Sequence, residues 1–114
     1  MELKDRRLDD GGVIVMTVAG EMDLYNANDF KKAVDRLLSA TQVGLVIDLQ
    51  ELNYIDSSGI GALLYTFTQS RSQAKPVCFA QVHGSVRRVI ELTSLLGFLP
   101  IEETVEAAAN RVSS

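Results

Sequence analysis

The stretch that most constrains this chain runs from Leu45 to Leu64. It opens as Leu45-Val46-Ile47-Asp48-Leu49, a run of β-formers that reads as a buried strand. It closes with Ile60, Leu63, Leu64 and Phe67 at i, i+3, i+4 and i+7, the spacing of one helical face. Between them lies a polar knot, Asp56-Ser57-Ser58-Gly59. Asp and Ser accept hydrogen bonds from the free N–H groups of a helix start. From spacing alone the knot is a helix cap with a turn glycine. The chemical alternative is an exposed serine at a terminus whose partial positive charge tolerates a phosphate.

The flanking sequence supplies more strands and helices in alternation. Leu3 to Leu8 is a charged strand, and Gly11-Gly12 after Asp9-Asp10 reads as a hairpin turn. Val13 to Ala19 is a strand ended by Gly20-Glu21-Met22-Asp23. Asn26 caps a helix whose apolar face is Ala27, Phe30, Val34, Leu37 and Leu38. The helix after the knot ends before Pro76. Val77 to Val82 is the next strand, and His83-Gly84-Ser85 is a turn with Ser85 as cap. Val86, Val89, Ile90 and Thr93 make a short helical face. Phe98 to Ile101 reads as a last strand, restricted to an edge by Pro100, and Glu102 to Val112 as a final helix. The expected fold is α/β, a single domain over residues 1–114. Its mostly parallel mixed sheet has about five strands, an antiparallel N-terminal edge and about four helices. In such sheets function gathers at the carboxyl ends of the strands, here Asp23, Asp56, Ser57, Ser58 and His83.

Composition narrows the chemistry. The net charge of −4 argues against binding a nucleic-acid backbone. One cysteine, Cys78, excludes an internal disulfide, and its apolar setting makes it a core residue. No apolar run suffices for membrane insertion, and the charged start Met1-Glu2-Leu3-Lys4-Asp5 is no signal peptide, so the expected location is cytoplasmic. A hydrolase would need a base for its serine. Only His83 is available, and the knot lacks the first glycine of a G-x-S-x-G elbow. Asp23, Asp48 and Asp56 could approach one another as magnesium ligands do, but Asp48 lies within a strand. No G-x-G-x-x-G follows a strand, so nucleotide binding has no motif behind it, and no cofactor is implied. What remains is a binding module switched at a serine. A phosphate there adds about −1.5 to −2 charges without requiring the helix to move.

The residues Asn53-Tyr54-Ile55-Asp56-Ser57-Ser58-Gly59-Ile60-Gly61, preceded by Leu45 to Leu49, resemble the signature of STAS-domain anti-sigma-factor antagonists. Gly20-Glu21-Met22-Asp23 resembles that family's second marker, usually Gly-Glu-Leu-Asp. Element order and length fit residues 2 to 112. The resemblance implies a bacterial, cytoplasmic, non-enzymatic STAS fold. Its partner is an anti-sigma factor with serine kinase activity, bound when the chain is unphosphorylated. The serine directly after the motif aspartate, Ser57, would be the acceptor, with Ser58 the runner-up, and a serine phosphatase would reverse the modification. The implied partner surface comprises Asp23, Tyr25, Asp56, Ser57, Ser58, Gly59 and Gly61. Met22 and the small face at Gly61-Ala62 are expected to join it. Leu24-Tyr25-Asn26-Ala27 departs from the family's usual helix start. The alternative within the family is a STAS adaptor subunit of a membrane transport or stress-signalling complex that lacks a phosphoswitch.

Overall fold

Strand formation follows the apolar runs. A computed structural model describes residues 1–8 and 12–114, and the hairpin turn expected at Asp9-Asp10-Gly11 lies outside them. The chain order is β1 (Glu2–Arg7), β2 (Val13–Met22), α1 (Ala27–Ala40), β3 (Gly44–Asp48), β4 (Leu52–Ile55), α2 (Ser57–Gln73), β5 (Val77–Ala80), α3 (Gly84–Leu92), β6 (Ile101–Glu102) and α4 (Val105–Ser113). The sheet runs β1-β2-β3-β5-β6, with β4 paired to β2. Among the described residues only β1 and β2 are antiparallel, and every other pairing is parallel.

Among the described residues six strands form where about five are expected, and β2 explains the difference. Its first half, Val13 to Thr17, pairs with β3. Its second half, Gly20 to Met22, pairs with β4 across a register shift at Gly20/Glu21. Gly20 has φ +97, a region that side chains disfavour, and its N–H donates to Glu51 O at 3.0 Å. The Gly-Glu-Met segment therefore extends the strand rather than ending it. Leu52 and Ile55 are buried while Asn53 and Tyr54 are exposed, a pattern without the alternation that marks a strand in sequence.

Alternation along the strands divides the core. Ile14, Met16, Val18, Leu45, Ile47 and Phe79 face one side, where they pack with Phe30, Leu37, Leu38, Leu63 and Ile90 of the first three helices. Val13, Val15, Val46, Cys78 and Ala80 face the other and pack with Ala108 and Val112 of α4. Cys78 is fully buried, and burial pushes its thiol up to about 11. The Tyr65 hydroxyl of α2 donates to both carboxylate oxygens of Asp35 on α1, at 2.7 and 2.9 Å. That bond, ahead of burial, raises the phenol above its ordinary range.

Two local expectations change. Ser85 is not the cap of α3: His83 holds that position, and Ser85 Oγ donates to Asn53 O at 2.7 Å, tying α3 to β4. Phe98 and Leu99 are bonded back to Leu95 O in a turn, and Ile101–Glu102 alone of this stretch pairs as strand; Pro100 has no N–H for a ladder, though its carbonyl accepts from Phe79 N–H at 2.8 Å.

Candidate functional site

Asp56 organises the site. Its backbone is extended, and Oδ1 accepts from Gly59 N–H at 3.0 Å, capping α2. Its other oxygen, Oδ2, accepts from Leu24 N–H at 3.2 Å, across thirty-two positions of sequence. One carboxylate thus joins the start of α2 to the loop after β2. Asp23 shapes that loop. Its Oδ1 accepts from Tyr25 N–H at 2.9 Å, and its carbonyl accepts from Ala27 N–H at 2.9 Å. Asn26 stands at the N-cap position of α1 but makes no cap bond. Its side chain instead accepts from Asp23 N–H and donates to Glu21 O, both at 2.9 Å. A turn so tightly bonded holds Leu24 and Tyr25 outward, 70% and 91% exposed.

Ser57 is the first residue of α2 and is exposed; Ser58 is half-buried. With the cap supplied by Asp56, neither hydroxyl makes a hydrogen bond among the described residues. A first-turn N–H has no partner within its helix, so those of Ser57 and Ser58 are left without intrahelical bonds. Gly61, one turn on, is exposed, and a methyl group added there would meet nothing within 4 Å. Tyr54 on β4, two residues before Asp56, is 48% exposed, a third large apolar side chain near the motifs besides Leu24 and Tyr25. Sequence reasoning did not single out Tyr54 and Leu24 as exposed apolar side chains. The available signal was their place next to the two motifs.

Three expected members of this surface lie elsewhere. Met22 and Ala62 are fully buried and belong to the core. Gly59 is also buried: an added Cβ would sit 2.4 Å from Ile55 Cγ1 and 3.0 Å from Met22 O. Its small size seats α2 on the sheet rather than admitting a partner.

The other chemical readings do not assemble. His83, at the N-cap position of α3, has its Nε2 2.6 Å from Gln50 O. Asp48 is buried, accepting from Gln50 N–H and Gln81 Nε2 at 3.1 and 3.0 Å. Among the described residues no three acidic, histidine or cysteine side chains group as metal ligands. Nor is any described helix long and apolar enough to cross a membrane. Ser57 is left exposed at the start of α2, beside the carboxylate that ties the helix to the loop after β2.

The family model for the STAS domain matches residues 8–108. The chain belongs to the STAS domain family. An anti-sigma-B factor antagonist of Listeria monocytogenes is 31% identical over 110 residues, covering 96% of this chain and 93% of the relative. An anti-sigma factor antagonist from Mycobacterium paratuberculosis superposes with a TM-score of 0.85 at 26% identity, covering 99% of this chain and 94% of that one. The anti-sigma factor antagonist SpoIIAA shares the fold of this STAS domain. Its unphosphorylated form gives a TM-score of 0.71 at 19% identity, each chain covered to 97%. The phosphorylated Bacillus form gives 0.69 at 18%, covering 97% of this chain and 99% of that one. By sequence and fold, this STAS domain stands in the anti-sigma factor antagonist group. The mixed sheet with one antiparallel edge and four helices is the architecture expected from its sequence.

Proposed function

We propose that this STAS domain antagonises an anti-sigma factor through the surface around Ser57, and that phosphorylation of Ser57 turns the contact off. The observation that carries the reading is the division of labour between Asp56 and Ser57. Asp56 caps the helix, so the Ser57 hydroxyl is exposed and uncommitted. A hydroxyl that the fold does not need is available to a kinase. A phosphate there meets N–H groups without intrahelical bonds and the positive end of α2, so the fold tolerates it. A partner packed over Ser57 must instead desolvate a dianion beside Asp23 and Asp56, a cost of several kcal/mol when the charge is left unpaired. About 4 kcal/mol lowers affinity roughly a thousandfold. The switch acts at the contact, and the packed core of Ile60 and Leu63 has no reason to shift.

In this reading the partner is an anti-sigma factor with serine kinase activity. Ser57 is the acceptor ahead of the half-buried Ser58, and a serine phosphatase restores binding. The chain acts in the cytoplasm as a binding module and catalyses nothing itself. Asp56 positions Ser57, while Tyr25, Asp23, Ser58 and Gly61 border the contact.

The test is a pull-down from native cells with wild type and Ser57→Asp as baits, together with phosphopeptide mapping of the recovered chain. Wild type retains an anti-sigma factor that Ser57→Asp loses, and phosphate maps to Ser57. Equal recovery by both baits, with no phosphate on Ser57, refutes the switch and favours the adaptor role.

A further inference from the structure

Ser57, Gly61, Leu64, Thr68 and Arg71 recur at alternating intervals of four and three, which places them on one stripe of α2. All are exposed except Leu64, which is half-buried. The far end of the stripe opens into a groove of about 470 Å³ lined by Leu64, Phe67, Thr68, Arg71 and Phe98. Phe98 reaches it from the turn before β6 and meets Phe67 edge-on, with ring centroids 5.1 Å apart. Phe67 packs on the core below, yet Phe98 keeps 54% of its surface open. The Arg71 guanidinium lies over the Phe67 ring, 5.7 Å from its centroid. Among the described residues it has no carboxylate within ion-pair distance, whereas Lys4, Arg36, Arg87 and Arg111 each have one.

Single exposed apolar residues are ordinary. Here an aromatic wall, a groove and an unpaired cation coincide on the helix face that begins at Ser57. The charge fits an acidic segment: among the described residues Arg71 is one of several cations without a carboxylate in ion-pair range, and it is the one that lines this groove.

We infer that the groove is a second anchor for the partner that covers Ser57. It seats an apolar side chain against Phe67 and Phe98, with a partner carboxylate about one helical turn away on Arg71. The inference rests on the reading of Ser57 as the centre of the contact. Leu64 lies about 10 Å from Ser57 along the helix axis and Arg71 about 21 Å, at 1.5 Å per residue. These distances exceed the screening length of about 8 Å at physiological salt. The anchor is therefore insensitive to charge on Ser57. Phosphorylation removes one half of the footprint and leaves the other, so a kinase or phosphatase working on Ser57 keeps a hold on the chain while the hydroxyl changes state.

The test uses the purified anti-sigma factor, with affinity measured by calorimetry for wild type, Arg71→Glu, Phe98→Ala, Ser57→Asp and the double variants. Each groove variant should weaken binding at least about tenfold, the loss expected when a central aromatic or arginine contact is removed. Arg71→Lys should lose less than Arg71→Glu. The losses of Ser57→Asp and Phe98→Ala should multiply in the double variant. Arg71 is exposed but lies over Phe67 in the last turn of α2, so Arg71→Glu should lower the melting temperature slightly and leave the chain folded at the temperature of the binding assay. Normal binding by both groove variants, with Ser57→Asp still defective, overturns the anchor and leaves the switch standing. Weak binding by the groove variants with normal binding by Ser57→Asp supports the groove and removes the switch. A double variant no weaker than its worse parent overturns the independence of the two anchors. Sedimentation of the chain alone should show a monomer. A dimer that Phe98→Ala dissociates would assign the groove to a second copy and overturn the proposal.

Discussion

Two glycines on the first turns of α2 should respond to the same substitution with opposite signs. At Gly59 an added methyl group falls 2.4 Å from Ile55 Cγ1 and 3.0 Å from the Met22 carbonyl oxygen. Ile55 is buried and Met22 O is backbone, so neither yields freely. Ordinary contact needs roughly another ångström, and forced repacking of this kind costs about 1–3 kcal/mol. Replacing glycine by alanine within a helix returns about 0.5–1 kcal/mol. The net loss for Gly59→Ala is therefore centred on about 1 kcal/mol, a fall in melting temperature of about 4–8 °C for a domain of this size. At Gly61 the methyl group meets nothing within 4 Å. Only the propensity gain remains, a rise of about 2–4 °C. Because Gly61 borders the proposed contact, Gly61→Ala should also weaken partner binding while stabilising the fold. Thermal melts followed by circular dichroism read the first effect and calorimetry the second. A Gly59→Ala protein that melts at or above wild type would refute the packing account of the α2 start. A Gly61→Ala protein that binds normally would place that face outside the contact.

Ser57→Ala should change stability by less than about 0.5 kcal/mol, since Asp56 supplies the cap, while phosphorylation in a kinase assay is lost. Asp56→Ala removes both the cap and the tie to the loop and should cost about 1–2 kcal/mol. Its largest amide shifts by NMR should fall at Gly59 and Leu24. Tyr25→Ala should leave the melting temperature unchanged, because the ring is 91% exposed, and should weaken the partner complex. The Cys78 thiol, raised to about 11 when folded, ionises first in the unfolded chain; its contribution to stability is therefore lost as pH rises from about 9 to about 11. Denaturant titrations of wild type and Cys78→Ala across that window should show the steeper fall in wild type.

Legibility in the sequence followed the strength of the pattern. Leu45 to Leu49 and the Ile60, Leu63 spacing named a strand and a helix, and the polar knot marked the cap between them, which Asp56 supplies because a carboxylate three positions before Gly59 can reach that N–H. β4 was not legible. Its Leu52 and Ile55 point inward around two exposed residues, and only its pairing with the far half of β2 makes it a strand. Met22 and Ala62 show the limit at the site: side chains next to motif residues were assigned to the surface, whereas the pleat and the helical turn send them to the core. Phe98, read as part of a strand, proved to be a wall of the groove on α2, a contact between segments thirty-one positions apart.

The carboxylate of Asp56, bonded at once to Gly59 and to Leu24, has a consequence for how such a surface can diverge. A mutation at Asp56 perturbs the helix start and the loop together, and one at Asp23 unfastens the turn that displays Tyr25. Neither position can drift toward a new partner without disturbing the frame. Leu24, Tyr25 and Tyr54 carry no such obligation, since their side chains project from backbone that others hold. Sister proteins within one cell could then keep a common switch and avoid cross-talk by varying these three side chains alone.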